Sequence, residues 1–262
     1  MEKLLIIPTY NERENIVSIL KAVFQLQQHF HVLIIDDGSP DGTAEIVKTL
    51  FTTYPGQLFL EERVGKLGLG TAYIYGFRWA LARKYRFIFE MDADFSHNPS
   101  DLDSLYKACK TGGGDVAIGS RYVKKGNVKN WPWIRVFISK GASFYTRFLT
   151  RMPVKDPTAG FVCYKSEVLE AINLDEISFV GYAFQIEMKF AAWKLGFTIK
   201  EVPITFIDRQ FGISKMNKGI VKEGIFGVLK LKWMSMFKNY RSRVKNSEEN
   251  AYLNQKMSVE GK

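Results

Sequence analysis

Phe87-Ile88-Phe89-Glu90-Met91-Asp92-Ala93-Asp94 is the stretch on which the fold turns. Its first part, Phe87–Met91, is a short, nearly continuous apolar run, as expected of a strand covered on both faces. It stops abruptly in two carboxylates two residues apart. At a strand end both can face an open crevice. Two similar junctions lie upstream. Leu4–Ile7 runs into Pro8-Thr9-Tyr10-Asn11-Glu12, and Val32–Ile35 runs into Asp36-Asp37-Gly38-Ser39. Three apolar runs, each ending in a polar cluster, suit strands whose carboxyl ends share one site.

Helical patterns separate these strands. Ile16, Ile19, Leu20, Val23 and Phe24 repeat at helical period, with Asn11 and Glu14 at a capping-box spacing before them. Ser39-Pro40 reads as a serine cap with proline in the first turn of a second helix. A third helix is expected over Thr71–Arg83. A fourth follows Asn98-Pro99, with Leu102, Leu105, Tyr106 and Cys109 on one face, and Val116–Ile118 reads as another strand. The alternation predicts an α/β fold, a mostly parallel sheet with helices on both faces. Ligands of such sheets bind beyond the carboxyl ends of the strands. Further on, Tyr122–Trp133 is irregular, basic and aromatic, and Phe197–Ile207 reads as late strand structure broken by Pro203.

The residue types at these ends point to phosphate chemistry. Asp92 and Asp94 are hard oxygen ligands suited to Mg²⁺ or Mn²⁺ carrying a diphosphate. The competing reading is turn chemistry, since aspartate is common where strands stop. A glycine turn and a capped helix account for Gly38, Ser39, Pro40 and Asp41, but not for Asp36 and Asp37 side by side. Lys66-Leu67-Gly68-Leu69-Gly70 precedes a helix and can hold phosphate there, though it matches neither a P-loop nor a dinucleotide fingerprint. Arg121, Arg135, Arg209 and Lys215 are isolated cations beside glycine or aromatic residues, for which solvated surface charge is the plain alternative. Trp131 and Trp133 flank Pro132 and suit either a core or a membrane interface. Cys109 and Cys163 fall in apolar settings and read as buried, inert thiols. His97, close to the acidic pair, is placed to orient a ligand, but the favoured reading is a surface turn residue.

Composition narrows the class. The chain has 262 residues, 46% hydrophobic and 24% charged, which excludes a disordered or fibrous protein. Two cysteines and three scattered histidines make neither a disulfide scaffold nor a zinc site. The apolar run at the N-terminus is too short for a signal peptide and is cut by Pro8, so a cytoplasmic protein is expected. The net charge is +10. Lys218 to Lys245 holds eight cations against Glu223 alone, and so carries +7 of it. Ile220–Phe237 is rich in apolar residues but interrupted by lysines, too charged to span a bilayer and too apolar for a solvated arm. The expected organisation is a catalytic domain over 1–217, a basic apolar helical segment over 218–245 in contact with an anionic membrane surface, and a polar frayed tail over 246–262. A nucleic-acid-binding protein would also use such charge, but it is concentrated in one apolar segment and no nucleic-acid motif is present.

Taken together, the motifs resemble the family-2 glycosyltransferases, and among them the dolichol-phosphate (polyprenol-phosphate) mannose synthases. The resemblance runs in order from about Lys3 to Lys230. It is carried by Pro8-Thr9-Tyr10-Asn11-Glu12-Arg13-Glu14-Asn15, Ile35-Asp36-Asp37-Gly38-Ser39-Pro40-Asp41-Gly42-Thr43, Leu67-Gly68-Leu69-Gly70-Thr71-Ala72-Tyr73 and Met91-Asp92-Ala93-Asp94-Phe95-Ser96-His97. Gly119-Ser120-Arg121-Tyr122, Ile138-Ser139-Lys140-Gly141-Ala142, Gly181 to Met188, and Val202-Pro203-Ile204 before Asp208-Arg209 continue it. The resemblance implies a GT-A fold and sugar transfer from a nucleotide sugar to a polyprenyl monophosphate. It implies that Pro8, Tyr10, Glu12, Asp37 and Ala93 contact the nucleotide. Asp92 and Asp94, with Ser96, are implied to hold the metal and diphosphate. Arg121 and Arg135 are implied to grip the acceptor phosphate, and Arg209 and Lys215 to close over the donor phosphates. The chain departs from the family where Lys140 replaces a common arginine, where Ile213 replaces a polar residue, and in having no C-terminal transmembrane helix like those of many relatives.

The expected chemistry needs no general base. A phosphate monoester has its second pKa at about 6 and is already a nucleophile at neutral pH. The problem is to bring two anions together, for which arginine forks and a divalent metal suffice. A single in-line displacement with inversion is expected. GDP-mannose is the expected donor. UDP-glucose or UDP-N-acetylglucosamine, and a glycan acceptor, stand as alternatives, and a membrane partner protein is left open.

Overall fold

The structure, a computed structural model, describes residues 1–181, 183–208 and 218–242, the last segment with side chains from Phe226 on. Its centre is a seven-stranded sheet in the order β3-β2-β1-β4-β7-β5-β8. The strands are β1 (Lys3–Thr9), β2 (His31–Asp36), β3 (Leu58–Glu62), β4 (Phe87–Glu90), β5 (Val116–Ser120), β7 (Val162–Lys165) and β8 (Ile199–Pro203). All pairings are parallel except those of β7 with β4 and β5. Two short strands, β6 (Asn127–Lys129) and β9 (Thr205–Ile207), pair in parallel beside it.

Strand periodicity divides the core. On β1, Leu4 and Ile6 face one layer while Leu5 and Ile7 face the other, all fully buried. The first layer holds α3 (Leu69–Ala82), α6 (Ser166–Ala171), α7 (Ala183–Lys194) and α8 (Lys218–Met234). The second holds α1 (Ile16–Phe24), α2 (Thr43–Thr49) and α4 (Leu102–Lys110). α3 comes unusually close to the sheet at Gly76, where a Cβ would sit 2.9 Å from side-chain atoms of Ile6 and Ile35. α5 (Trp133–Thr150) packs on the first layer through Tyr145 and Leu149, beside α8.

Two helices start later than capping patterns suggest. Asn11 has φ +58° and belongs to the loop, and α1 begins at Ile16 after Asn15. Ser39 does not cap α2. The helix begins at Thr43, and Asp41 is the capping group, accepting from the Thr43 amide at 3.0 Å and its hydroxyl at 2.6 Å. Asn98 does cap, accepting from the Ser100 amide at the start of a 3-10 turn that leads into α4. The antiparallel β7, the edge strand β3 and the long α5 carry no comparable local signal.

The strand order reverses between β1 and β4, since β2 and β3 lie on one side of β1 and β4 on the other. That is the position where a crevice opens beyond the carboxyl ends. Tyr10–Glu12 and Asp92–Asp94 follow these two strands.

Candidate active site

The β1 and β2 ends are welded into one wall. Asp36 accepts from the Thr9 hydroxyl (2.8 Å), the Ser39 amide (2.8 Å) and the Ser39 hydroxyl (2.6 Å). Its neighbour Asp37 turns elsewhere, to the Arg63 guanidinium (Nε at 2.7 Å, Nη2 at 2.5 Å) and the Leu67 amide (3.2 Å). Separate partners thus answer the adjacency of two carboxylates. Glu12 donates its amide to the Thr43 hydroxyl, and its carboxylate accepts from Asn15. Pro8 and Tyr10 remain half-buried at the rim, with the Lys66 ammonium 4.7 Å from the Tyr10 ring centroid. Arg63, which no motif flagged, also donates to the Thr71 hydroxyl and so ties Asp37 to α3.

The glycine turn before α3 is not an open phosphate cradle. The Gly70 amide donates to the Val180 carbonyl at 2.8 Å, and a Cβ on Gly70 would lie 2.7 Å from the Phe179 carbonyl oxygen. The turn closes against the Phe179–Val180 loop instead.

Beyond β4, Asp92 and Asp94 behave differently. The Asp92 side chain is 41% exposed, whereas Asp94 is buried and accepts from the Ser96 amide at 3.0 Å. Ala93 is buried between them. Phe95 takes φ +59°, which folds the chain back so that Ser96 and His97 enter the interior. His97 is therefore no surface turn residue. Its ring stacks on Phe161 at 4.9 Å, meets Phe206 edge-on at 5.4 Å, and accepts the Asp92 amide at Nδ1 (3.4 Å). Burial pushes its pKa down to about 4, so the ring is neutral and serves as an acceptor. The Ser96 hydroxyl is buried without a hydrogen-bond partner.

The two acceptor-side arginines meet around one indole. Arg121 and Arg135 lie 5.7 and 4.0 Å from the Trp131 ring centroid. Trp131 in turn packs edge-on against Phe206 at 5.3 Å, which links it through Phe206 to His97 and Asp92. The structure thus brings together the β4 carboxylates and both arginines. Arg121 is not isolated. Its amide and Nε reach one Asp156 oxygen (2.9 and 2.7 Å), its Nη2 reaches the other (2.6 Å), and Nη2 also donates to the Thr158 hydroxyl. Burial opposes the Arg121 charge, but the Asp156 carboxylate outweighs it and raises its pKa. Among the described residues Nη1 carries no hydrogen bond. Arg135 donates through Nη1 to Asp208 at 2.9 Å, while its Nε and the Trp131 Nε1 are buried without partners. Arg209 and Lys215 lie outside the described residues. Asp156 and Arg63 have no sequence signal of their own, because their partners are 35 and 26 residues away.

Under this site lies a buried polar network. Glu90 accepts from Gln185 at 2.8 Å, and Lys189 donates to the Ala159 carbonyl and twice to Gln185. Burial raises the Glu90 pKa and lowers that of Lys189. Cys109 and Cys163 are buried and unpaired, as expected of inert thiols.

Among the described residues no three His, Cys, Asp or Glu side chains gather to hold a metal. The donor set nonetheless fits a divalent cation shared with a ligand. It offers one accessible carboxylate, one buried carboxylate and the orphaned Ser96 hydroxyl, leaving the remaining positions for phosphate oxygens and water.

Comparison with known proteins matches the architecture. The pattern described as "Glycosyl transferase family 2" covers residues 4–172. The chain is 47% identical over 225 residues to the polyprenol monophosphomannose synthase of Mycolicibacterium smegmatis, covering 86% of this chain and 84% of that one. It is 43% identical over 244 residues to the undecaprenyl-phosphate mannosyltransferase of Micrococcus luteus, covering 93% and 99%. In fold it resembles glucosyl-3-phosphoglycerate synthase from Mycobacterium tuberculosis, solved with phosphoglyceric acid (TM-score 0.66, 16% identity, 88% of this chain and 80% of that one). It also resembles the mannosyltransferase PcManGT from Pyrobaculum calidifontis, solved with GDP-Man and Mn²⁺ (TM-score 0.57, 16% identity, 92% and 65%). The mostly parallel sheet is thus of the GT-A kind, and the chain belongs to glycosyl transferase family 2.

Proposed function

We propose that the protein transfers mannose from GDP-mannose to a polyprenyl monophosphate, with inversion at the anomeric carbon. The names of the two relatives above support the acceptor class and the sugar. The observation that carries the reading is the pair of guanidiniums, Arg121 and Arg135, gathered on Trp131 within one ring-contact chain of Asp92. Two cations whose neighbouring carboxylates, Asp156 and Asp208, are engaged in ion pairs suit a nucleophile that is already anionic.

In this reading Pro8, Tyr10, Glu12, Asp37 and Ala93 receive the nucleotide. Arg63 keeps Asp37 oriented toward that wall. Asp92, Asp94 and Ser96 would hold Mg²⁺ or Mn²⁺, which when bound neutralises the leaving diphosphate. Arg121 Nη1, Arg135 and the orphaned Trp131 Nε1 grip the acceptor phosphate. One phosphate oxygen attacks C1 of the sugar as the C1–O bond to the nucleoside diphosphate breaks, and the leaving group takes the electron pair. No proton moves, so no base is assigned. His97 is neutral and engaged with the Asp92 amide, which leaves it a positioning role. Arg209 and Lys215 would add charge on the donor side. The division at 217 and 218, and peripheral attachment to the cytoplasmic face of a membrane, belong to the same proposal. Among the described residues no helix is long and apolar enough to cross a membrane.

A panel of GDP- and UDP-sugars tested with polyprenyl phosphate, reading the product lipid, decides the matter. Mannolipid from GDP-mannose alone is expected. Efficient transfer from a UDP-sugar would overturn the donor, and transfer only to a glycan would overturn the acceptor.

A further inference from the structure

The segment that follows α8 is strapped to the first layer. The Asn173 amide donates to the Tyr240 carbonyl (2.8 Å), and the Ser242 amide to the Ala171 carbonyl (2.7 Å). The buried Tyr240 ring meets Phe190 edge-on at 5.9 Å. The strap brings one cation inside. Lys238, its side chain 6% exposed, donates to the Glu187 carboxylate and to the Ser178 hydroxyl, both at 2.9 Å. Glu187 is fully buried on α7, and its other oxygen accepts from the Ser178 and Phe179 amides (2.8 and 3.0 Å). One carboxylate thus holds the start of the loop 178–181, while Lys238 completes its shell and grips the same loop. Against apolar packing of equal volume a buried pair gains little stability, and its best-attested use is to select one arrangement.

That loop shapes the turn before α3. The helix has no side-chain cap, and its Gly70 amide is satisfied by the Val180 carbonyl at 2.8 Å. Gly68 takes φ +99°, and a Cβ there would lie 3.3 Å from the same Val180 oxygen. The turn in its place supplies the surroundings of Asp37. The Leu67 amide donates to Asp37. The Gly68 carbonyl accepts from Arg63 Nη2 (3.4 Å) and from the Thr71 hydroxyl (2.8 Å), and that hydroxyl accepts from Arg63 Nη1 (2.9 Å). Arg63 in turn grips Asp37. Polar contacts therefore run without a break from Lys238 through Glu187, the 178–181 loop, the turn and Arg63 to the nucleotide wall.

We propose that Lys238 is a positioning residue for the nucleotide donor. Without its ammonium, Glu187 loses its counter-charge and Ser178 loses a partner. The loop then offers the turn no fixed carbonyls to close on. Arg63 and Asp37 sample more than one arrangement, and the donor must order them when it binds, which lowers its affinity. The acceptor arginines stand on a different anchor, Asp156 and Asp208, and are spared. The inference deepens the donor reading above and rests on it for what Asp37 contacts.

The test compares the full chain with its Lys238→Met and Lys238→Arg variants. Calorimetric titration of GDP with Mn²⁺ present should show affinity lowered about threefold to thirtyfold in Lys238→Met and largely restored in Lys238→Arg. KM for GDP-mannose should rise by the same factor, while kcat and KM for polyprenyl phosphate stay near wild type. Amide hydrogen exchange without nucleotide reads the link itself: Gly70 should exchange faster in Lys238→Met while the β1 amides keep their protection. Should Lys238→Met fail to fold, Lys238→Gln keeps a donor without the charge and serves the same readouts. Wild-type GDP affinity in the folded variant, or Gly70 exchange as in wild type, overturns the proposal. So does a loss shared equally by donor affinity, acceptor KM and unfolding midpoint, which is what a merely structural role would give. Wild-type protein that binds no GDP overturns the donor reading instead, and faster Gly70 exchange in Lys238→Met then leaves the link from strap to turn standing.

Discussion

Removing the Asp156 carboxylate should be among the most damaging single changes in this protein. Asp156 is completely buried, and Arg121 beside it is nearly so, with its side chain 9% exposed. Three hydrogen bonds from Arg121 converge on the two Asp156 oxygens at 2.6 to 2.9 Å. Asp156→Ala deletes both acceptor oxygens and leaves a guanidinium in the interior with only Thr158 and nearby rings for company. Breaking a buried pair from one side destabilises by about 3–5 kcal/mol, mostly the desolvation of the orphaned charge. For a chain of this size that is a fall in Tm on the order of 10 °C. Urea unfolding followed by tryptophan fluorescence measures it. A cycle with Arg121→Met separates pairing from packing, because in that background no charge is stranded and Asp156→Ala should be markedly milder. Acceptor use should also fall in Asp156→Ala, since the fork that aims Nη1 is gone, while GDP-mannose affinity stays close to wild type. A loss under about 1 kcal/mol with additive single changes would mean that the pair is solvated, and the reasoning would collapse.

Other perturbations test other links. Asp94→Ala should abolish turnover and Ser96→Ala should weaken Mn²⁺ binding without unfolding the protein; calorimetric titration of Mn²⁺ with GDP present checks both, and unchanged Mn²⁺ affinity in Asp94→Ala refutes the assignment. Gly70→Ala drives a methyl against the Phe179 carbonyl and the Phe184 ring (2.7 and 2.8 Å) and should destabilise by about 1–3 kcal/mol, read as a shift in urea midpoint. His31 sits partly buried with Nδ1 2.7 Å from the Tyr85 hydroxyl, and burial lowers its pKa. The unfolded chain then binds the extra proton first, so His31 contributes fully above its unfolded value of about 6.5 and loses that contribution as pH falls toward the lower folded value. His31→Gln should flatten the stability profile below neutrality, and an unaltered slope would contradict the burial argument.

Much of the site's outline is legible in the sequence. Apolar runs that end in carboxylates mark strands at a sheet end, because burial on both faces demands continuous hydrophobicity and the first charged pair must fall where the sheet stops. Asp36, Asp37, Asp92 and Asp94 all stand where that rule puts them. The motifs also identified the family, since residue types at set spacings are a property of the chain itself. Helix starts were less legible. Asn11 and Ser39 have capping chemistry, but the Glu12–Thr43 and Arg13–Asp41 hydrogen bonds engage the two loops with each other and delay both helices.

What only the tertiary structure decided are the partners of charges and the sides of helices. Arg121 looks like any surface arginine until the antiparallel insertion of β7 between β4 and β5 brings the preceding loop, with Asp156, beneath it. His97 looks like a turn residue until Phe95 reverses the chain and turns the ring onto Phe161. In α5 the spacing of Trp133, Phe137, Phe144 and Phe148 fixes only that these four share one side of a helix. Which side meets the protein is set by tertiary packing, which buries Ser143, Thr146 and Thr150 and leaves Trp133, Phe137, Phe144 and Phe148 exposed. Local sequence determines backbone rhythm because it acts through neighbours a few residues away; pairing and facing depend on contacts between residues tens of positions apart, which exist only once the chain has closed on itself.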